Sequence, residues 1–372
     1  MKKLLVALSC LVVIATLSAA KEQGGISPSY GNLLSKLRVS KSSFNPQKGD
    51  EVGVYFTLSK GAKVEVNIYD PDSGLIRTFQ KEFSDSGEQG LIWDGKDMDG
   101  RVVPDEAYYF AVTAEEDSKT KEIYDPTTFS GGVEHDITSA DADPESHTIN
   151  YKMPEMGRVM VRMGIQGGPL MNTLVDWKPR VEGMITEYWN GRDKDNLVDI
   201  YDHSKFKMII TYLTLPENSV IAFGNKQLTY REYKKSVGTK RPVKQDRPRS
   251  VGGKISPHYA LARTKDYVPD VKMTFSKTDG TEPDGTIILK GKTLVKVELA
   301  DEDKRIFQDQ QFEICFFLDY DFFAEDEAGY TPFNWVWDLS NVKEGDHLLT
   351  VNISSFKDQI GLLSRKVRVV KE

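Results

Sequence analysis

Trp93-Asp94-Gly95-Lys96-Asp97-Met98-Asp99-Gly100 recurs 96 residues later as Trp189-Asn190-Gly191-Arg192-Asp193-Lys194-Asp195-Asn196. The match extends outwards from this loop. Val64-Glu65-Val66-Asn67-Ile68 answers to Val159-Met160-Val161-Arg162-Met163, and Leu75-Ile76-Arg77-Thr78-Phe79 to Leu170-Met171-Asn172-Thr173-Leu174. Gly87 and Gly183 each lie six residues before their tryptophan. Matched positions stay 95 or 96 residues apart, so the register holds across a whole β-domain and the chain is built from duplicated modules. Each residue type in the motif has a structural use. Trp93 and Trp189 end a strand and bury a large ring between two sheets. The Asp-Gly or Asn-Gly step supplies the positive φ of a tight turn. Asp97, Asp99, Asp193 and Asp195 are placed to accept from nearby backbone amides and keep the loop from fraying.

Outside the repeat the chain reads as strand and turn. Alternating or β-branched stretches at Glu51–Leu58, Lys63–Tyr69, Tyr108–Ala114, Arg158–Met163, Lys207–Leu213, Thr293–Leu299 and His347–Ile353 are punctuated by Gly, Pro, Asn and Asp. No segment after the first twenty residues keeps a helical period, so helix is expected to be close to absent. The expected division is a first unit at 37–116, a linker at 117–147, a divergent second copy at 148–225, a basic linker or loop at 226–270 and a third unit at 271–371. The third unit carries Trp335-Val336-Trp337-Asp338, then Gly345-Asp346-His347-Leu348-Leu349-Thr350-Val351. Trp335, Trp337 and Asp338 are read as its structural motif.

Residues 1–20 read as a cleaved secretory signal: Lys2 and Lys3, an apolar run from Leu4 to Leu17, then Ser18-Ala19-Ala20. A lipoprotein signal ending at Cys10 is disfavoured by its poor lipobox, Ala7-Leu8-Ser9. No later run is long and apolar enough to span a membrane. Taking Lys2 and Lys3 from the 49 basic residues leaves 47 against 56 acidic ones, a net charge of −9 that argues against general nucleic-acid binding. Cys315 then stands alone in Phe312-Glu313-Ile314-Cys315-Phe316-Phe317 and is read as a buried core residue.

Residues 44–114 resemble the immunoglobulin-like domain first recognised in flagellar hook-capping proteins. The resemblance rests on Val64–Tyr69, Gly74-Leu75-Ile76-Arg77, the Trp93–Arg101 loop, Pro104 and Tyr108-Tyr109-Phe110. The second copy resembles it less, with Asn190 and Asn196 in place of Asp and Gly and no match to Pro104. The third unit is similar to bacterial Ig-like modules of secreted and surface proteins. The resemblance implies an all-β fold of three tandem immunoglobulin-like β-sandwiches and an envelope or extracellular setting, with no particular activity. Hook-capping proteins leave through the flagellar export apparatus, so the Sec-type signal speaks against a hook-cap role.

The search for chemistry yields no catalytic residue and no cofactor. The five histidines share no ligand spacing, and neither Cys-x-x-Cys, His-Glu-x-x-His, a nucleophile elbow nor a P-loop occurs. Asp97, Asp99 and Glu106 fall at the third, fifth and twelfth positions of a calcium loop. Gly95 occupies the first, however, and a metal-free capped turn is the favoured reading. Asp319, Asp321, Glu325, Asp326 and Glu327 form an acidic loop, read first as a solvated hairpin tip and otherwise as a cation site. Between Lys226 and Lys265, twelve basic residues face two acids. This stretch is read first as a linker, and otherwise as a docking strip for an acidic partner through Lys234, Lys235, Lys240 and Arg241. Two functions stay open: a non-catalytic structural or adaptor protein that binds envelope or extracellular proteins, and a carbohydrate-binding accessory that stacks sugars on Trp177, Tyr188 or Tyr230.

Overall fold

The computed structural model describes residues 31–117, 120–238, 250–251, 254–255, 268–308, 311–355 and 359–371. The signal at 1–20, Cys10, Lys240 and Arg241 lie outside the described residues. The fold is all-β and of sandwich type, in three units.

In the first unit, β1 (Leu34–Val39), β3 (Val52–Leu58) and β6 (Gly87–Trp93) form one sheet. The facing sheet contains β2 (Ser43–Phe44), β4 (Ala62–Tyr69), β5 (Leu75–Phe83), β7 (Glu106–Asp117) and β8 (Thr120–Tyr124). Alternation decides which way β4 faces: Ala62, Val64, Val66 and Ile68 are buried and the residues between them are not. Trp93 fills the space between the sheets, 1% exposed, with Phe44, Tyr108 and Phe110 around its ring at 5.3, 5.4 and 6.0 Å. Pro104 accepts the Tyr108 hydroxyl at 2.9 Å, which gives that buried phenol its partner.

The second unit pairs a sheet of β10 (Ala140–Asp143), β11 (Thr148–Met153) and β14 (Gly183–Tyr188) with one of β13 (Leu170–Arg180), β12 (Gly157–Ile165), β15 (Phe206–Thr214) and β9 (Glu134–Asp136). Trp189 stacks on Phe206 at 5.5 Å and meets Tyr201 edge-on at 6.0 Å.

The sheets divide the chain differently from the sequence reading. The stretch 117–147 is not a linker throughout: β8 belongs to the first unit, and β9 and β10 begin the second. Nor does the second unit run on to 225. Strand β16 (Val220–Ala222) returns to the first unit, antiparallel to β7 and parallel to β2. The cause is an open position beside β7, which the short apolar run Val220-Ile221-Ala222 fills by pairing and burial. The second unit is thus inserted between two strands of the first.

Among the described residues two short α-helices accompany the strands. Helix α1 (Tyr230–Val237) starts with a capping box in which the Thr229 side chain accepts from the Glu232 amide and Glu232 reaches back to the Thr229 amide. A short β17 (Ser250–Val251) and β18 (Lys254–Ile255) pair follows. In the third unit, β19 (Val271–Thr281), β20 (Ile287–Leu299), β25 (Ile360–Val370), β24 (Gly345–Ser355), β21 (Phe312–Leu318) and β22 (Asp321–Asp326) are joined in that order, and β23 (Phe333–Asp338) pairs with β20. Helix α2 (Asp301–Gln308) follows β20, with Asp301, Glu302 and Asp303 in its first turn, where carboxylates suit the helix dipole. Both helices are two turns long, too short for a 3.6-residue period to stand out in sequence. Cys315 is buried in β21.

Candidate functional site: the repeated loops as internal docking points

The two Trp loops are built on the same plan. The indole Nε1 of Trp93 donates to the Lys96 carbonyl at 2.9 Å, and that of Trp189 to the Arg192 carbonyl at 2.8 Å. Asp94 accepts from the Lys96 amide at 3.1 Å, and Asn190 does the same for Arg192 at 3.2 Å, so the Asp-to-Asn exchange keeps the function. Gly95 sits at φ 71° with no room for a side chain: a Cβ there would meet the Pro46 Cβ at 2.4 Å. Gly100 at φ 78° becomes Asn196 at φ 56°, asparagine being a residue type that tolerates the left-handed region.

At the centre of each loop is a buried carboxylate. Asp97 Oδ1 accepts from the amides of Asp99 and Arg101, both at 2.9 Å. Asp193 accepts from Asp195, Leu197 and Val198 at 3.2, 2.7 and 2.8 Å. Each loop is also tied to its own sheet by an amide bond, Met98 to the Ile76 carbonyl and Lys194 to the Met171 carbonyl.

Where the two copies diverge, each holds a different later part of the chain. In the first unit, Asp97 Oδ2 accepts the Tyr233 hydroxyl of α1 at 3.1 Å, and Arg101 reaches Ser236 at 3.3 Å. Tyr233 and Val237 are buried in the same apolar cluster as Trp93. In the second unit, Asp195 Oδ2 accepts the Ser364 amide of β25 at 2.7 Å, and the Lys194 ammonium caps the Leu362 carbonyl at 3.0 Å. Burial pushes the Asp195 carboxyl above the usual range, against the pull of Ser364, Lys194 and Arg365.

Further contacts join the units in pairs. Glu106 Oε2, on β7, meets Arg158 Nη2, on β12, at 3.0 Å with both side chains largely buried, and Arg158 Nε donates to the Trp177 carbonyl at 2.7 Å. Asn352 of β24 brackets Leu170 of β13, accepting from its amide at 2.8 Å and donating to its carbonyl at 2.9 Å. Leu348 packs into the core of the second unit. From α1, Arg231 pairs with Asp303 at 2.8 Å and Lys235 with Glu302, which ties α1 to the third unit.

These contacts correct several sequence-based expectations. Lys234 and Lys235 are not a free docking strip: Lys234 pairs with Asp70 at 2.8 Å and Lys235 with Glu302. Burial raises the Asp70 carboxyl although Lys234 pulls the other way. The calcium trio is not brought together. Asp97 turns into its own loop, Asp99 pairs with Arg101 at 2.6 Å, and Glu106 faces Arg158. Of the three proposed sugar platforms, Trp177 is buried and Tyr230 is half-buried with its hydroxyl on Asp72, while Tyr188 is 78% exposed. In the third unit, Trp337 is buried, Trp335 half-buried, and Asp338 accepts from the Ser340 amide at 3.0 Å and pairs with Lys292 at 3.0 Å, which takes its carboxyl down to about 2.

Tandem immunoglobulin-like β-sandwiches, locked to one another through their loops, are therefore the class of protein that the fold and these contacts define. Residues 41–118 match the FlgD Ig-like domain family. Among solved structures, the chain is similar to the fibronectin(III)-like modules of Clostridium thermocellum CbhA, at 12% identity over 90% of this chain and 95% of that one, with a TM-score of 0.20. It is similar to FlgD of P. aeruginosa at 20% identity over 30% of this chain and 77% of that one, with a TM-score of 0.21. A bacterial ice-binding adhesin aligns at 11% identity over 92% of this chain and 99% of that one, with a TM-score of 0.19. No curated protein matches the chain.

Proposed function

We propose that this chain is a non-catalytic structural or adaptor protein of the cell envelope or extracellular space, exported through its N-terminal signal, which binds other proteins through the outer surfaces of a locked three-unit body. The observation that carries this reading is the use of the repeated loops. Their carboxylates, which in an enzyme would face a cleft, are spent on loop amides, on the Tyr233 hydroxyl and on the Ser364 amide. The buried Glu106–Arg158 pair supports the same reading, since an ion pair removed from water favours one relative placement of two units. A pull-down from envelope fractions with the mature chain tests it: recovery of defined protein partners is expected, and retention on polysaccharide with no protein partner would refute it. Intact-mass analysis of the native protein tests the export step, with a chain beginning near Lys21 as the expected result.

A further inference from the structure

The third unit is open along one side. Among the described residues β22 pairs only with β21, and β23 only with β20. Among the described residues neither outer strand edge has a neighbour, although aromatic rings connect the two strands across the gap. The register of β22 slips beside Phe316 and Phe317, which pair with Ala324 and Phe322. Phe323 is thereby the extra residue of a bulge, and the bulge turns its ring onto Trp335 and Trp337 at 5.4 and 5.7 Å. Trp335 and Trp337 stack at 5.4 Å, and Tyr330 continues the row onto Phe333 at 5.3 Å. These rings are not sealed from water: Phe322, Phe323 and Tyr330 are 38%, 37% and 51% exposed.

The charge along β22 and its end has one sign. Residues 319–332 contain no Lys or Arg, while Asp321, Glu325, Asp326 and Glu327 crowd along β22 and its end. Asp321, Glu325 and Glu327 have no cationic partner among the described residues. Burial first, then Glu327 and Glu313, raise the Glu325 carboxyl. Free strand edges are normally protected with lysine, proline or a covering element. Here, among the described residues, an edge bearing exposed rings and unneutralised carboxylates has no covering element.

We infer that the seam between β22 and β23 binds an extended, Lys/Arg-bearing segment of a partner protein, its backbone along the β22 edge and its cations shared between the carboxylates and the aromatic faces. Each component has a physical reason. A free edge supplies backbone hydrogen bonds to an added strand. Rings of Trp, Tyr and Phe attract a cation over their faces, and more strongly when part of the water is excluded. The uncompensated acids choose a basic segment over an acidic one. The inference rests on the protein-binding reading above and narrows it to one surface and one partner chemistry.

The test uses the full mature chain and two short extended peptides, one alternating Val and Lys, the other alternating Val and Glu. Binding is followed by calorimetry and by tryptophan fluorescence. The basic peptide is expected to bind and the acidic one not to. The Glu325→Lys/Glu327→Lys double variant is expected to lose about tenfold or more in affinity, and raised salt to weaken the wild-type complex. Phe322→Ser gives a second variant that leaves the charge intact and is expected to weaken binding as well. Equal binding of both peptides, or undiminished binding by the double variant, would overturn the assignment. If neither peptide binds while the mature chain still captures envelope proteins, the seam is refuted and the broader reading stands.

Discussion

The Tyr233 hydroxyl donates to Asp97 Oδ2 at 3.1 Å across 136 positions of sequence. One oxygen of that carboxylate organises its own loop while the other holds a helix that the chain reaches only after completing the second unit. Tyr233→Phe removes this bond and leaves a buried carboxylate oxygen short of a donor. It should cost about 1.5–3 kcal/mol, the range for hydrogen bonds to charged groups, read from urea melts, and hydrogen exchange should quicken across Tyr230–Val237. Unchanged protection there would mean that the ion pairs of Arg231, Lys234 and Lys235 and the apolar burial of α1 hold it without this bond.

Trp93→Ala and Trp189→Ala should each destabilise their own unit by about 3–5 kcal/mol, with the larger loss at Trp93. That ring is 1% exposed with three aromatic neighbours, whereas Trp189 is 6% exposed with two. Denaturant melts of the full chain with unit-specific probes would reveal the order, and equal losses would count against the packing argument.

Arg158→Met alone leaves Glu106 buried without its cation and should cost about 3–5 kcal/mol. Adding Glu106→Leu should recover much of that loss, because no charge then remains to be desolvated. Comparing the two single variants with the double variant in thermal melts decides the matter. A double variant as weak as its parents would show that the pair contributes more than charge neutralisation.

His347 predicts a pH dependence at the seam between the second and third units. Burial alone would lower its imidazole, but the Asp319 carboxylate and the Lys343 carbonyl outweigh it, so the net shift is upward from the ordinary 6.5. A group whose folded pKa is raised contributes its full stability below the unfolded value and loses it as pH rises through the folded one. Melting temperatures should therefore fall as pH rises above 6.5, and His347→Gln should flatten that slope. A wild-type slope that survives in the variant would assign the effect elsewhere.

The loops were legible in sequence because tryptophan and Asp-Gly are rare enough to mark a register, and because the bonds they make are local. Trp93 reaches Lys96, three residues away, and Asp97 reaches Arg101 four residues on. The all-β class was legible from the alternation of strands such as β4. What sequence could not show depends on partners far along the chain. Glu106 and Arg158 look like ordinary charged residues until the fold sets them side by side. Val220-Ile221-Ala222 is too short to show a period, so nothing local said that it would cross back to β7. The lysines at 234 and 235 read as a solvated basic strip because their counter-charges, Asp70 and Glu302, lie 164 and 67 positions away.

The insertion of the second unit into the first sets an order in time. Strand β7 gains its neighbour β16 only once residues 220–222 have been made, and the Trp93 cluster gains Tyr233 later still. The second unit has all of its strands by Thr214, and its two ends already meet there, with the Gly132 amide on the Thr214 carbonyl at 2.8 Å. As the chain emerges, the unit that begins first is thus the later of the two to be completed, and its last pieces arrive only when its guest is whole.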